Sequence, residues 1–486
     1  MRIPFPKSIP LRQLTVFLTV MLFIQLAQGT DPLFAVLMLV AQLAAVAAFN
    51  RLGGMTHMAG AFCLLAMLPN VTVPEFTHLV LGQPGDFNLE HPIMTSGVCA
   101  AFFCCIFATA VLVSLTKPTE PILDRIPFSS LELRVISAVS AAFAIVVAFV
   151  VTRAMSTTGV ENGSLIAALY QFLPFTQAIS VILATYVRLR TTNNQSCMSW
   201  YVGLMLLIMV IPGVLNAQKE GMLTPIFCWL VVVAASGHRL SRVGILALVA
   251  LVLFLWSFVY PFSQNARFPI REAETLSEKV DLIIQYIQDP SSFPDSTSNS
   301  EESSEFGTDT SKVNIVQRYS LLKSIDMLID ADLRSGYTSI DRYLPVLVSV
   351  VPHVFWPDRP QVITSNELGH KAGFAMADSD TITGIAIGSP ALFFDIGGWL
   401  ALLVYTPICF ALFFLVAVRL VGKTTVGPWA LVPIGMEAHS SSASSPAAMF
   451  TFVITFLTIL LIAVALLKTA SYITQTLLVR PVSSGA

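Results

Sequence analysis

The chain has 486 residues, 55% of them hydrophobic and only 12% charged, with a net charge of −2 and a mean hydropathy of +0.75. A soluble globular domain usually carries roughly 25% charged residues, so this composition excludes an ordinary soluble enzyme. The near-zero net charge gives no electrostatic footprint for nucleic acid.

Apolar runs recur along the chain, and each membrane crossing needs about 20 residues. In chain order the runs are 13–29, 32–49, 55–69, 93–115, 132–152, 165–187, 199–217, 221–237 and 243–262, then 398–418 and 449–467. The first follows Arg2, Lys7 and Arg12, and Ala27-Gln28-Gly29 resembles a signal-peptidase site only weakly. A second apolar run begins almost at once, so the first is read as an uncleaved span. Segment 383–397 is apolar and glycine-rich and is expected to be a partial or re-entrant crossing. A weak span near 426–447 would keep Lys468 and Arg480 on the cytoplasmic side. The expected fold is all-α: a polytopic membrane protein of about 11–12 transmembrane helices with one large extracytoplasmic loop containing an amphipathic helix.

Loop charges orient the spans, because cytoplasmic loops are enriched in Lys and Arg. Arg51, Lys117, Arg125, Arg134, Arg188, Arg190, Arg239 and Arg242 fall in alternate loops, whereas the loop around Glu75, Asp86 and Glu90 has neither Lys nor Arg. This predicts a cytoplasmic N-terminus and puts 263–381 outside. Three regions result: a bundle of about nine helices over 1–262, the outer loop 263–381, and C-terminal helices over 382–486.

The outer loop holds 10 of the 27 Lys+Arg and 18 of the 29 Asp+Glu, half of all charges in a quarter of the chain. Within it, 289–312 is Ser-rich, acidic and aperiodic, and is expected to be a disordered insert. The following stretch has helical period. Leu322, Ile325, Ile329 and Leu333 share one face; Lys323, Asp326, Asp330 and Arg334 share the other. Gly336 is the expected stop.

Three groups of residues could carry chemistry. The turn 216–223 contains Lys219 and Glu220, which either hold an anion and accept a proton or form a solvated turn with Gly221 as its bend. Arg267, Arg271, Arg318, Arg334, Arg342 and Arg359 stud the outer loop. Their planar guanidinium groups suit a diphosphate, binding two oxygens at once, unless the nearby acids claim them. The phrase "VPHVFWPDRP" (351–360) packs three prolines around His353, Trp356 and Asp358. Prolines withhold donors and fix the backbone, which argues against a crossing there, and Trp356 suits a membrane interface. The seven cysteines form no CxxC pair and read as small buried hydrophobes. The seven histidines have no metal-site spacing, and no Walker, HExxH or GxSxG motif is present. No metal or cofactor is expected.

One large loop late in a many-span chain resembles the Wzy-type O-antigen polymerases, bacterial membrane enzymes that polymerise oligosaccharide repeat units. The matching phrases are "VPHVFWPDRP", then "GHKAGF" with Lys371, then "TITG" and "FFDIGGW". The Lys219-Glu220-Gly221 turn is similar to a short basic-glycine turn of such transferases. Where the family often has arginine after the loop's first proline, this chain has His353. The resemblance implies a donor oligosaccharide on undecaprenyl diphosphate, in the bacterial cytoplasmic membrane, with membrane lipid, a flippase and chain-length regulators as partners. Lys219, Arg267, Arg318, Arg334, Arg342, Arg359 and Lys371 would hold the anionic substrate. Glu220, Asp326, His353 or Asp358 would activate the acceptor hydroxyl. A ligase of similar architecture and a polysaccharide or lipid transporter remain alternatives; a transporter would carry charged residues inside its spans.

Overall fold

In the computed structural model, residues 3–449 are described except 4, 117–119, 124–127, 158–164, 267–268, 271–272, 274, 294–319, 349–355, 357–359, 361–362, 375–384 and 441–448; beyond them only Thr458, Leu461 and Ala465 are described. Only backbone is described for 151–157, 165–172, 174, 220, 256, 260, 264, 291, 346–347 and 437–440. The expected insert 289–312 lies largely outside the described residues.

Among the described residues the chain is helical. In chain order the helices are α1 (Leu11–Ala27), α2 (Pro32–Arg51), α3 (Met58–Leu81), α4 (Pro92–Ser114), α5 (Ser130–Thr157), α6 (Leu165–Thr191), α7 (Trp200–Leu215), α8 (Lys219–Ala235), α9 (Arg242–Ser263), α10 (Leu276–Gln288), α11 (Leu322–Ser335), α12 (Ile340–Tyr343), α13 (Ser365–Lys371), α14 (Ser389–Phe394), α15 (Gly398–Leu420) and α16 (Leu431–Ser440). Six described stretches are long and apolar enough to cross a membrane: α2, α3, α4, the Ser130–Val150 part of α5, α9 and α15. This is compatible with a polytopic membrane protein. Apolar helices α1 and α7 and the Gly221–Ala235 part of α8 are shorter.

Two helix groups form the bundle. In one, α2 packs on α4, α4 on α15, and α3 on α2; in the other, α5 packs on α6 and α8 on both α6 and α7. The buried helix α16 joins them by touching α3, α6 and α8, which gives a helical segment where a weak span near 426–447 was expected. The first group is cemented by phenylalanines. Phe62, Phe102, Phe393 and Phe410 are fully buried, and their rings meet at centroid distances of 5.4–5.7 Å, the range in which edge and offset contacts add to apolar burial.

The two ends of the bundle differ. At one end Arg51 reaches Ser114, Thr424 bonds Met55 and Thr56, and His238 meets Asn194. At the other, Gly85 bonds Thr30, Asp31 bonds Asp86, and α11 lies across the start of α4. The second is here called the capped end. Arg51, Arg188, Arg190, Arg239, Arg419 and Lys423 all belong to turns of the opposite end.

The third crossing differs from its expected bounds. It runs to Leu81, so Glu75 is inside a helix and not in a loop. A π-helical turn over Leu68–Thr72 makes this possible, with Val73 N–H bonding the Leu68 carbonyl. The Pro69 carbonyl would then need the N–H of residue 74, which is proline and has none. Leu321 N–H, at the start of α11, donates to Pro69 O at 3.0 Å. A backbone acceptor freed by Pro74 thus becomes the docking point of the cap, since a buried carbonyl demands a partner.

Gly388 completes this seam. A Cβ there would run into Asn70 Oδ1 and the Ile325 side chain. Gly388→Ala is expected to cost about 1–3 kcal/mol through overpacking, seen as a lower thermal midpoint in detergent; an unchanged midpoint would mean that the cap seats more loosely than described.

The α7–α8 turn also corrects an expectation. Its left-handed residue is Ala217, with φ 47°. Gly221 lies inside α8, where a Cβ on Gly213 would come within 2.5 Å of the Gly221 carbonyl carbon. It permits a close helix crossing and is not the bend.

Candidate functional site

Helix α11 forms as its apolar period predicts. Leu322, Ile325 and Ile329 are buried, and Gly336 ends it with φ 89°. Two side chains depart from the expected faces. Leu333 is exposed, while Asp326 is fully buried. The cause is that α11 is enclosed on two sides, by the start of α4 and by α14. Asp326 accepts from Glu90 N at 2.7 Å, His91 N at 2.9 Å and Thr95 Oγ1 at 2.9 Å, with Lys323 at 3.4 Å. Its carboxylate ties down the two residues that lead into α4 and the Thr95 hydroxyl in that helix's first turn, since buried polar groups demand partners. Its expected role as base stands beside this structural one: the carboxylate is enclosed and already accepts three hydrogen bonds.

Nearly two turns further on, Asp332 enters a different cluster. Lys371, the last residue of α13, donates to Asp332 Oδ1 at 2.6 Å, to Thr338 Oγ1 at 2.9 Å and to Asp395 Oδ1. Tyr343 Oη donates to Asp395 Oδ2. Thr338 N–H bonds the Asp395 carbonyl at 2.8 Å. Both aspartate side chains are fully enclosed, and Lys371 is 20% exposed. The cluster joins four segments: the end of α11, the 336–343 strap, α13 and the C-terminal end of α14. It sits at the capped end, outside the long apolar stretches.

Its charges balance only if one carboxyl keeps a proton. Burial, together with the hydrogen-bonded Asp395, pushes Asp332 up to about 9. Burial alone would raise Asp395 as well, but hydrogen bonds from Asp332, Lys371 and Tyr343 outweigh it and hold that carboxyl below its usual value. Burial disfavours the Lys371 ammonium, and its bonds to the two aspartates more than offset this, so it stays charged. At neutral pH the cluster is therefore one ammonium, one carboxylate and one carboxylic acid. The acid accounts for Asp332 Oδ2, which receives no hydrogen bond from a donor and can itself donate to Asp395. Environments that drive two carboxyls apart are typical of functional sites and also of structural ion networks.

Lys371 has three N–H donors, and three acceptors use them. In this arrangement the ammonium, expected to bind substrate, is engaged by the protein itself. Arg334 pairs with Asp330, which also meets His91 Nε2 at 3.1 Å. Arg342 pairs with Glu367 at 2.5 Å. Both arginines are exposed, each uses one nitrogen in the pair, and exposed pairs of this kind are weak. Their side chains are 71% and 54% exposed. The Arg342 carbonyl also accepts from Ile363 N–H at 3.4 Å. These two contacts pinch together the ends of the loop that carries "VPHVFWPDRP", so its stem stands next to Tyr343.

The expected site residues thus divide. Arg334, Arg342 and Lys371 gather at the capped end around α11. Lys219 starts α8, and of Glu220 only the backbone is described. Arg267, Arg271, Arg318, His353, Asp358 and Arg359 lie outside the described residues. Asp332, Asp395 and Tyr343 were not anticipated. One signal was available: Asp395 is the only charged residue between 383 and 418, and a lone charge in so apolar a run needs a partner. No cluster of three or more metal-ligating side chains occurs among the described residues. All seven cysteines are free, with Cys104 exposed and Cys409 half-buried, so the expectation of buried thiols holds for five.

No family model matches this chain, and neither the curated proteins nor the solved structures include a match.

Proposed function

We propose that the chain is a membrane glycosyltransferase that joins oligosaccharide repeat units carried on undecaprenyl diphosphate, at the outer face of the bacterial cytoplasmic membrane. The observation that carries this reading is that Arg334 and Arg342 are both exposed, each in a surface ion pair, on segments that one buried charge cluster joins. Such guanidinium groups can exchange a weak surface partner for a diphosphate and stabilise it as it leaves. The loop-charge rule supports assigning the opposite end, with its arginines, to the cytoplasm. The acceptor hydroxyl would be activated from the 351–360 loop, by His353 or Asp358, since Asp326 is committed to α4.

Arg318→Ala, Arg359→Ala and Lys219→Ala are each expected to abolish polymer while the protein remains in the membrane and single lipid-linked units accumulate. Full-length polymer from all three variants would overturn the assignment. Polymer made by purified protein from lipid-linked units alone separates this reading from a ligase, which would need a different acceptor.

A second reading is favoured by one contact. Glu75 lies buried inside α3 and accepts a hydrogen bond from Gln42 of α2. An ionisable group within a span is a common mark of a transporter pathway. Transport of labelled glycolipid that survives loss of polymer-forming activity would support that reading.

A further inference from the structure

Helix α10 (Leu276–Gln288) carries three faces, and only two have partners in the protein or in water. It forms because Thr275 and Glu278 make a capping box, a reciprocal pair that satisfies two donors at the helix start. At about 100° per residue, Lys279, Leu282, Ile283 and Tyr286 share one side. This side packs on the protein: Tyr286 meets Phe262, Phe258 and Phe293 at centroid distances of 5.2, 5.9 and 5.3 Å. Glu278, Asp281, Gln285 and Gln288 share a second, hydrated side. Leu276, Val280, Ile284 and Ile287 form the third, and they are 43%, 39%, 45% and 58% exposed.

We propose that α10 lies in the bilayer interface at the capped end, with this third face in contact with phospholipid. Two observations choose lipid as the occupant. First, Phe258 and Phe262 occupy the last turns of α9, so α10 is fastened at the level where a crossing helix leaves the apolar layer. Second, α9 is itself almost unpacked along its length, with Val243, Leu246, Val249, Val252 and Leu253 all exposed. The stripe on α10 therefore continues an apolar surface that a membrane already covers. A helix with one apolar side and one polar side at this height is suited to lie in the interface plane. Its hydrated side has acids and no exposed Lys or Arg, because Lys279 is buried. The contact is thus apolar and takes neutral phospholipid as well as anionic phospholipid.

The test uses the full chain in phosphatidylcholine nanodiscs, with the photo-crosslinker benzoylphenylalanine placed at Ile284, at Asp281 on the hydrated side, or at Leu246 of α9 as a lipid-facing reference. Position 284 is expected to gain the mass of one phospholipid, as 246 does, and 281 is not; the yield at 284 should be unchanged when anionic lipid is added. Cross-linking of 284 to a second copy of the chain, or no adduct at 284 while 246 reacts, would overturn the proposal. Position 280 repeats the measurement if the 284 variant fails to accumulate.

Discussion

Lys371→Met is expected to be strongly destabilising, lowering the thermal midpoint of the purified protein and exposing the 336–343 strap to protease. Removing the ammonium leaves the Asp395 carboxylate enclosed, with only Tyr343, Thr338 and Asp332 to offset its charge. Breaking a buried pair by deleting one partner typically costs about 3–5 kcal/mol. The double variant Lys371→Met with Asp395→Asn should recover part of the loss, because the stranded charge is gone. Asp332→Asn should be tolerated far better, since a neutral side chain replaces one that is already neutral. A Lys371→Met protein as stable as its parent would mean that the cluster does not hold the cap.

The same cluster sets a pH dependence. In the unfolded chain Asp332 would titrate near an ordinary carboxylate value, about 4, whereas folded it keeps its proton up to about 9. Between those limits the folded protein binds the extra proton, so this group's contribution to stability falls as pH rises. It is fully present below the unfolded value and lost as pH passes through 9. Asp395 acts in the opposite sense: its contribution is present above the unfolded value and lost as pH falls through its lowered one. Asp332→Asn should therefore flatten the decline of the thermal midpoint between about pH 4 and 9 while leaving the acid limb below it in place.

Much of the scaffold was legible because a single physical quantity dictates it. Hydropathy over about 20 residues marks α2, α4, α9 and α15, and helical period with a glycine stop marks α11. The rest depends on pairing, which spacing along one chain does not encode. Asp332 and Asp395 are 63 positions apart in sequence and meet only because α11 docks on α3 and α14. The helical wheel assigned Asp326 to a polar face, which is correct as chemistry, but it could not tell water from the backbone of α4. The π turn in α3 was hidden for a similar reason. Hydropathy bounds the third run at 55–69; prolines commonly stop helices, whereas Leu321 supplies a donor to Pro69 that lets this one continue past Pro74.

Asp326 offers the sharpest separation of a structural carboxylate from a catalytic one. At the entry to α4 it satisfies two backbone N–H groups and one hydroxyl. Asp326→Ala would leave those donors unpaired, at about 1–3 kcal/mol for each group that water cannot reach, so a large fall in thermal midpoint is expected, together with loosening of the α4–α11 contact. Asp326→Asn keeps one acceptor oxygen and should lose less. In a glycan-transfer assay normalised to folded protein, Asp326→Asn should retain most of the parent's rate and leave its pH profile unshifted, because the group takes no proton from the acceptor. A base would give the opposite pattern: an unchanged midpoint in Asp326→Asn with activity gone. That result would return Asp326 to the reaction and show that the seam opens to admit substrate.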